Sequence, residues 1–222
     1  MENKISIFIA IFLLILSIAY ANVATISEEG NKYEVSYEGF VQPGWNLLPS
    51  DTFALWEIGE ESESAIEKAT EVFIYLPSNK EFISTKNGIN SEDNTKAQEN
   101  NDYLRISASW YYFKESTPIK FTFPKTKLEN IKLYAGWNLI SLPPQVGGKE
   151  PTLGWGNCEI EKVYIWFPGI NKWENLYPTS DLNELTNEDA IGAGLAVKVK
   201  NICVLGNEAI QNTSQPLPVL PE

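Results

Sequence analysis

Gly44-Trp45-Asn46-Leu47-Leu48 and Gly136-Trp137-Asn138-Leu139-Ile140 are one pentapeptide met twice, 92 positions apart in a chain of 222 residues. Proline follows each copy, Pro49 in the first and Pro143 and Pro144 in the second. A second echo keeps the order at an offset of 91: Glu71 to Pro77 (EVFIYLP) is answered by Lys162 to Pro168 (KVYIWFP). A polar turn comes next in both, ending in Asn79-Lys80 or Asn171-Lys172, and then an aromatic residue, Phe82 or Trp173. A third, weaker pair sets Ala108 to Lys114 (ASWYYFK) against Gly192 to Lys198 (GAGLAVK). Ordered matches at a near-constant offset describe a tandem repeat of two units, each of roughly ninety residues.

Inside a unit the pattern has period two. Val72, Ile74 and Leu76 alternate with Phe73 and Tyr75, and Val163, Ile165 and Phe167 with Tyr164 and Trp166. β-branched and aromatic residues in alternation predict a strand covered on both faces, and the turn that follows predicts a β-hairpin. Further strands are expected at Lys32 to Tyr37, Trp110 to Phe113, Lys120 to Phe123 and Leu195 to Val199. Helix is minor: Ser64-Ala65-Ile66-Glu67 has a capping-box pattern, and Ser180 to Ala190 has room for one short helix. The expected fold is therefore all-β, two tandem small β-sandwich or barrel-like units with minor short helices. Unit one covers residues 22–125 and unit two 126–210, with the boundary near Pro124 to Glu129. Residues 84–102 hold one Ile and no aromatic besides their polar residues, and read as a mobile surface loop inserted in unit one. Residues 211–222 read as a Pro-rich tail.

The GWNLISLP segment resembles a repeat of exported surface proteins of archaea and bacteria. Unit two carries GWNLISLPP (Gly136 to Pro144), KVYIWFP (Lys162 to Pro168) and GLAVKVK (Gly194 to Lys200). Unit one carries GWNLLPS (Gly44 to Ser50), EVFIYLP and ASWYYFK. Unit two departs from the pattern at Leu195 and Ala196, where an aromatic pair is favoured. The resemblance implies a small extracellular all-β module used in adhesion, in envelope architecture or as an accessory to enzymes, and it implies no catalytic residues.

The N-terminus fits export. One Lys precedes an apolar run from Ile5 to Ile18, and Ala19-Tyr20-Ala21 supplies a small-x-small site, so residues 1–21 read as a signal peptide cut after Ala21. The alternative is an uncleaved anchor helix, for which Ile5 to Ala21 is at the short end of what spans a bilayer. Cys158 and Cys203 are the only cysteines. In an oxidising space they are expected to pair, closing a loop worth about 4 kcal/mol in the chain-entropy account; two buried thiols are the alternative. Asn212-Thr213-Ser214 is a glycosylation sequon in the tail.

Composition narrows the chemistry. With 29 acidic against 17 basic side chains the formal charge is −12, and Arg105 is the single arginine, so no nucleic-acid partner is expected. The chain has no histidine, which removes Ser-His-Asp and Cys-His nucleophiles and His-liganded zinc. The acidic runs at Glu57 to Glu67 and Ser91 to Asp102 lack calcium-loop spacing, so no metal and no cofactor are expected.

Among the seven tryptophans, Trp45 and Trp137 sit in matching contexts and read as structural core anchors. Asn46 and Asn138 beside them read as caps on backbone groups at a bend. Trp155, Trp166 and Trp173 form an unmatched aromatic cluster in unit two, flanked by Asn171 and Glu174. Indole planes edged by hydrogen-bonding side chains suit sugar rings; ordinary packing is the competing account. The function expected is thus an exported cell-surface structural or adhesion module without catalytic activity, the alternative being a carbohydrate-binding module that uses that cluster. Its partner would be a cell-envelope component or an extracellular glycan or protein. Membrane contact would come only through the N-terminal segment if that is uncleaved.

Overall fold

The computed structural model describes residues 24–29, 32–50, 55–58, 65–124, 131–141, 155–177 and 193–205. The expected leader, the tail with Asn212 and the short helix expected at 180–190 lie outside the described residues. Unit one runs β1 (Ala24–Glu29), β2 (Lys32–Val41), β3 (Gly44–Pro49), β4 (Leu55–Ile58), α1 (Ala65–Lys68), β5 (Glu71–Leu76) and β6 (Glu81–Ser84). It continues through α2 (Ser91–Glu99), α3 (Asn101–Leu104), β7 (Ala108–Phe113) and β8 (Thr117–Pro124). Unit two has β9 (Lys132–Leu133), β10 (Gly136–Ser141), β11 (Ile160–Phe167), a 3-10 turn (Pro168–Ile170), β12 (Lys172–Tyr177), β13 (Gly194–Val199) and β14 (Cys203–Val204). The fold is all-β.

Both units build the same sheet. Unit one orders its strands β3-β7-β5-β6 and unit two β10-β13-β11-β12, all antiparallel. Beside each lies a second ladder. In unit two it is the pair β9 and β14, with Leu133 opposite Cys203. In unit one the matching pair, Val41 opposite Thr117, is the end of a four-stranded sheet ordered β1-β2-β8-β4. Val41 and Leu133, each three residues before the glycine of the pentapeptide, are both buried.

The corner between the two ladders is made by the repeated Gly-Trp-Asn. Gly44 and Gly136 adopt φ of 103° and 98°, a region that strains any residue with a Cβ. The buried Asn46 carboxamide donates to the Gln42 and Gly44 carbonyls at 2.8 and 3.0 Å and accepts from the Gln42 N–H at 3.0 Å. Asn138 repeats this on Tyr134 and Gly136, at 2.8, 3.2 and 2.9 Å. The expectation of an asparagine cap at a bend is met in both copies.

Strand register moves the third echo by two residues. Ala108 to Phe113 lies opposite Pro49 to Gly44, and Gly194 to Val199 lies opposite Ser141 to Gly136. The counterpart of Ala108-Ser109-Trp110 is therefore Gly194-Leu195-Ala196, not Gly192-Ala193-Gly194. A shift of two leaves every side chain on the same face, so the alternation cannot reveal it. The hairpin turns align one residue off as well: Lys80, not Asn79, matches Asn171, and both are left-handed with φ of 58° and 50°.

Each sheet has an inner face and a face turned to the other unit. Inside unit one are Val72, Ile74, Leu76, Tyr111 and Phe113; inside unit two are Val163, Ile165, Leu195, Val197 and Val199. The outer faces meet through Leu47, Ala108, Leu139 and Ala196, flanked by Tyr75, Trp110, Tyr164 and Trp166. The sheets come close at Gly194, where a Cβ would collide with the Leu47 carbonyl oxygen and Cγ. Edges are tied too. The buried Tyr103 hydroxyl donates to the Leu139 carbonyl at 2.6 Å and accepts from the Leu139 N–H at 2.9 Å. Burial pushes this phenol far above its ordinary pKa, so it stays protonated and keeps both bonds. The Trp166 indole N–H donates to the Trp45 carbonyl at 2.9 Å.

The segment expected to be a mobile loop is instead ordered into α2 and α3. Asn90 caps α2 by accepting from the Asp93 N–H at 2.8 Å. Lys96 reaches Glu81 at 2.9 Å and Glu92 at 3.1 Å, and these carboxylates hold its ammonium above the usual lysine range. The fully buried Asn100 carboxamide donates to the Lys96 carbonyl and the Ser78 hydroxyl at 2.8 and 2.7 Å, fixing the helix end to the β5–β6 turn. Tyr103 then anchors α3 in the core.

Two substitutions test this account of the junction by chemical denaturation. Gly194→Ala is expected to lose about 1–3 kcal/mol through overpacking against the Leu47 backbone. Tyr103→Phe is expected to lose about 1–3 kcal/mol because it strands two buried backbone groups. Parent-like stability of both variants would show that the sheets do not meet in this way.

Candidate functional site

The candidate site is a cleft of about 460 Å³ between the two outer faces. Unit one supplies Tyr75 from β5 and Phe82 from β6; unit two supplies Trp137 and Leu139 from β10, Tyr164 from β11, Trp173 from β12 and Ala196 from β13. Strand alternation brings them together. The inward aliphatics of β5 and β11 put Tyr75 and Tyr164 on the opposite face, and the cross-strand pairs Tyr75–Phe82 and Trp166–Trp173 add the hairpin aromatics beside them.

The walls are rings that pack on one another and still face solvent. Tyr75 and Phe82 have centroids 4.9 Å apart, and Trp137 and Tyr164 5.8 Å apart. Phe82 is 53%, Trp137 40% and Trp173 37% exposed. Partial burial raises the Tyr75 pKa, so its phenol is neutral at ordinary pH. The cleft therefore offers uncharged apolar surface with hydroxyl and indole N–H groups at intervals. Large apolar side chains held this open on a soluble surface mark recognition sites.

Trp45 and Trp137, expected as core anchors, are not in the inner cores. Both lie on the outer faces, Trp45 half-buried against Phe73, Trp110 and Tyr112, and Trp137 exposed at the cleft. The reason is the Asn beside them. A cap must point inward to reach the corner, and alternation then turns the neighbouring indole outward.

The expected cluster of unit two is divided. Trp155 is buried, packed in the inner core that also holds Cys203. Trp166 lies between the units, 5.0 Å from Trp110 with rings at 83°. Trp173 meets Trp166 at 5.4 Å and 66°, so the three indoles form no common plane. Asn171 is the left-handed turn residue, its Oδ1 3.8 Å from where a Gly44 Cβ would be. Glu174 is half-buried, opposite Ile165 and one residue from Trp173 on β12. Of the five, Trp173 alone lines the cleft.

Sequence reasoning missed Tyr75, Phe82, Leu139, Tyr164 and Ala196 as members of one site. The signal available was the departure from an aromatic pair at Leu195 and Ala196. Among the described residues, no group of three or more His, Cys, Asp or Glu is placed to hold a metal ion, and no helix is long and apolar enough to cross a membrane. No protein-family model, curated protein or solved structure matches the chain.

The two outward indoles that differ most in surroundings should differ in what they hold up. Trp110→Ala, which removes a ring packed on three others, is expected to cost about 3 kcal/mol. Trp137→Ala, at the open cleft, is expected to cost less than about 1 kcal/mol. Denaturant midpoints compared at equal slope measure both, and a reversed order would contradict this placement of the rings.

Proposed function

We propose that this chain is an exported cell-surface adhesion module that holds its partner in the aromatic cleft between its two units. The observation that carries the reading is the cleft itself, where Phe82, Trp137 and Trp173 stay open to solvent on a chain of net charge −12. Apolar rings open on a chain of acidic net charge give a patch that gains by burying ring faces against a partner. Export is supported by the leader pattern of residues 1–21 and by the Cys158–Cys203 bridge, S–S 2.10 Å across 45 positions. Such bridges persist outside reducing compartments. The partner proposed is an envelope or extracellular component presenting apolar groups.

Fractionation of the producing cells, joined to intact mass, tests the proposal. The expected result is recovery at the cell surface of a chain that begins at Asn22 and has no free thiol. The double variant Trp137→Ala/Trp173→Ala should keep the disulfide and fold yet be shed into the medium. Recovery of the parent chain inside the cell with two free thiols would falsify export. Unchanged surface retention of the double variant would remove the cleft from adhesion. A glycan array showing binding that depends on Trp173 would instead favour the carbohydrate reading.

A further inference from the structure

The repeat supplies its own description of what fits the cleft. Register makes Trp110 the counterpart of Ala196: Trp110 lies opposite Leu47 and Phe73, and Ala196 opposite Leu139 and Tyr164. Trp110 is packed against Trp45 of its own unit, and against Trp166 and Trp173 of the other, at 6.3, 5.0 and 5.7 Å. All three contacts are edge-to-face, with rings at 83° to 85°.

Exchange the units and these neighbours become Trp137, Tyr75 and Phe82. All three line the cleft, with Ala196 at its base. One half of the junction thus holds an indole in an aromatic cage. The other half has the cage and a methyl group where the indole would begin.

We infer that the cleft at Ala196 binds one planar aromatic ring of indole size, seated as the Trp110 ring is seated in its own half. The inference rests on the proposed role of the cleft in recognition and names the group recognised there. A flat neutral ring can present edges to the Trp137, Tyr75 and Phe82 faces, the arrangement that the aromatic quadrupole favours. A volume of about 460 Å³ is within the range of small-molecule sites and admits such a ring. A sugar ring would bring more hydroxyls than the two phenols and two indole N–H groups of the lining residues can satisfy. The ring can belong to a free aromatic compound or to a tryptophan side chain of a polypeptide.

Fluorine NMR with 5-fluoroindole and with N-acetyl-5-fluorotryptophanamide tests this on the disulfide-bonded protein. The parent chain should shift and broaden the fluoroindole signal saturably. Ala196→Trp, which places an indole in the cage from within, should weaken that binding at least about tenfold. Trp137→Ala, which leaves the base of the cleft untouched and removes one wall, should also weaken it. It provides the same test if Ala196→Trp does not fold. Tighter binding of N-acetyl-5-fluorotryptophanamide than of fluoroindole assigns the ring to a polypeptide side chain; tighter or exclusive binding of fluoroindole assigns it to a free compound, and either supports the inference. Failure of both probes to bind the parent, or equal binding by parent and variants, overturns it. So does saturable binding of tetramethylammonium without either aromatic probe, which would make the cage a cation site. Cleft-dependent surface retention together with failure of both probes would leave the adhesion proposal standing and remove this one.

Discussion

A buried carboxamide at the corner of each unit is the constraint on which the remaining structure depends. The chain must leave one ladder and enter another at a sharp bend, where backbone groups lose strand partners and are shielded from water. Asn46 and Asn138 restore those partners with one side chain that both donates and accepts. Aspartate could accept from the N–H but could not donate to two carbonyls, and alanine would leave all three groups unmet. The glycine two positions earlier supplies the left-handed turn that the carboxamide then locks. Once Asn points inward, alternation decides the rest of β3 and β10. Leu48 and Ile140 go to the cores; Trp45, Leu47, Trp137 and Leu139 go to the surface where the units meet.

That logic explains which parts of the fold were legible in the sequence. Repeat, hairpin, asparagine cap and disulfide partners are local or rest on counting, and they could be read directly. The outward direction of Trp45 and Trp137 could not, because an indole next to a structural motif is ordinarily core material. Only the knowledge that a second sheet covers the outer face makes an outward tryptophan sensible. Helix α2 was hidden for a different reason. Its nine residues (SEDNTKAQE) have one buried side chain, Ala97, and no apolar stripe. It is held by its Asn90 cap and by Lys96 and Asn100 reaching β6 and the β5–β6 turn, contacts that no periodicity announces.

The repeats match along β5 and β11 and at the Gly-Trp-Asn corner, and differ most between β7 and β13. Val72 and Val163, Ile74 and Ile165, and Val41 and Leu133 are alike in size and chemistry, whereas inward Tyr111 and Phe113 answer to the smaller Val197 and Val199. On the outer faces Trp110 answers to Ala196, Tyr112 to Lys198, Tyr75 to Trp166 and Ala108 to Gly194. Two like faces packed together would have to fill both halves of their junction in the same way. This chain fills one half with an indole and leaves the other as the cleft at Ala196.

These differences act together. The missing Cβ at Gly194 lets β13 come against the Leu47 backbone, a close approach that fixes the separation of the sheets at that point. Trp110, wedged among Trp45, Trp166 and Trp173, sets how far apart the aromatic sides of the two hairpins must stand. With that spacing set in one half, the cage around Ala196 cannot close without breaking contacts in the other, because packed sheets shift as bodies and not ring by ring. Trp137, Phe82 and Trp173 are then held open by the same asymmetry that locks the two units together. A cleft kept open by its own scaffold loses little order on binding, and the area of its rings is available to a partner at low entropic cost.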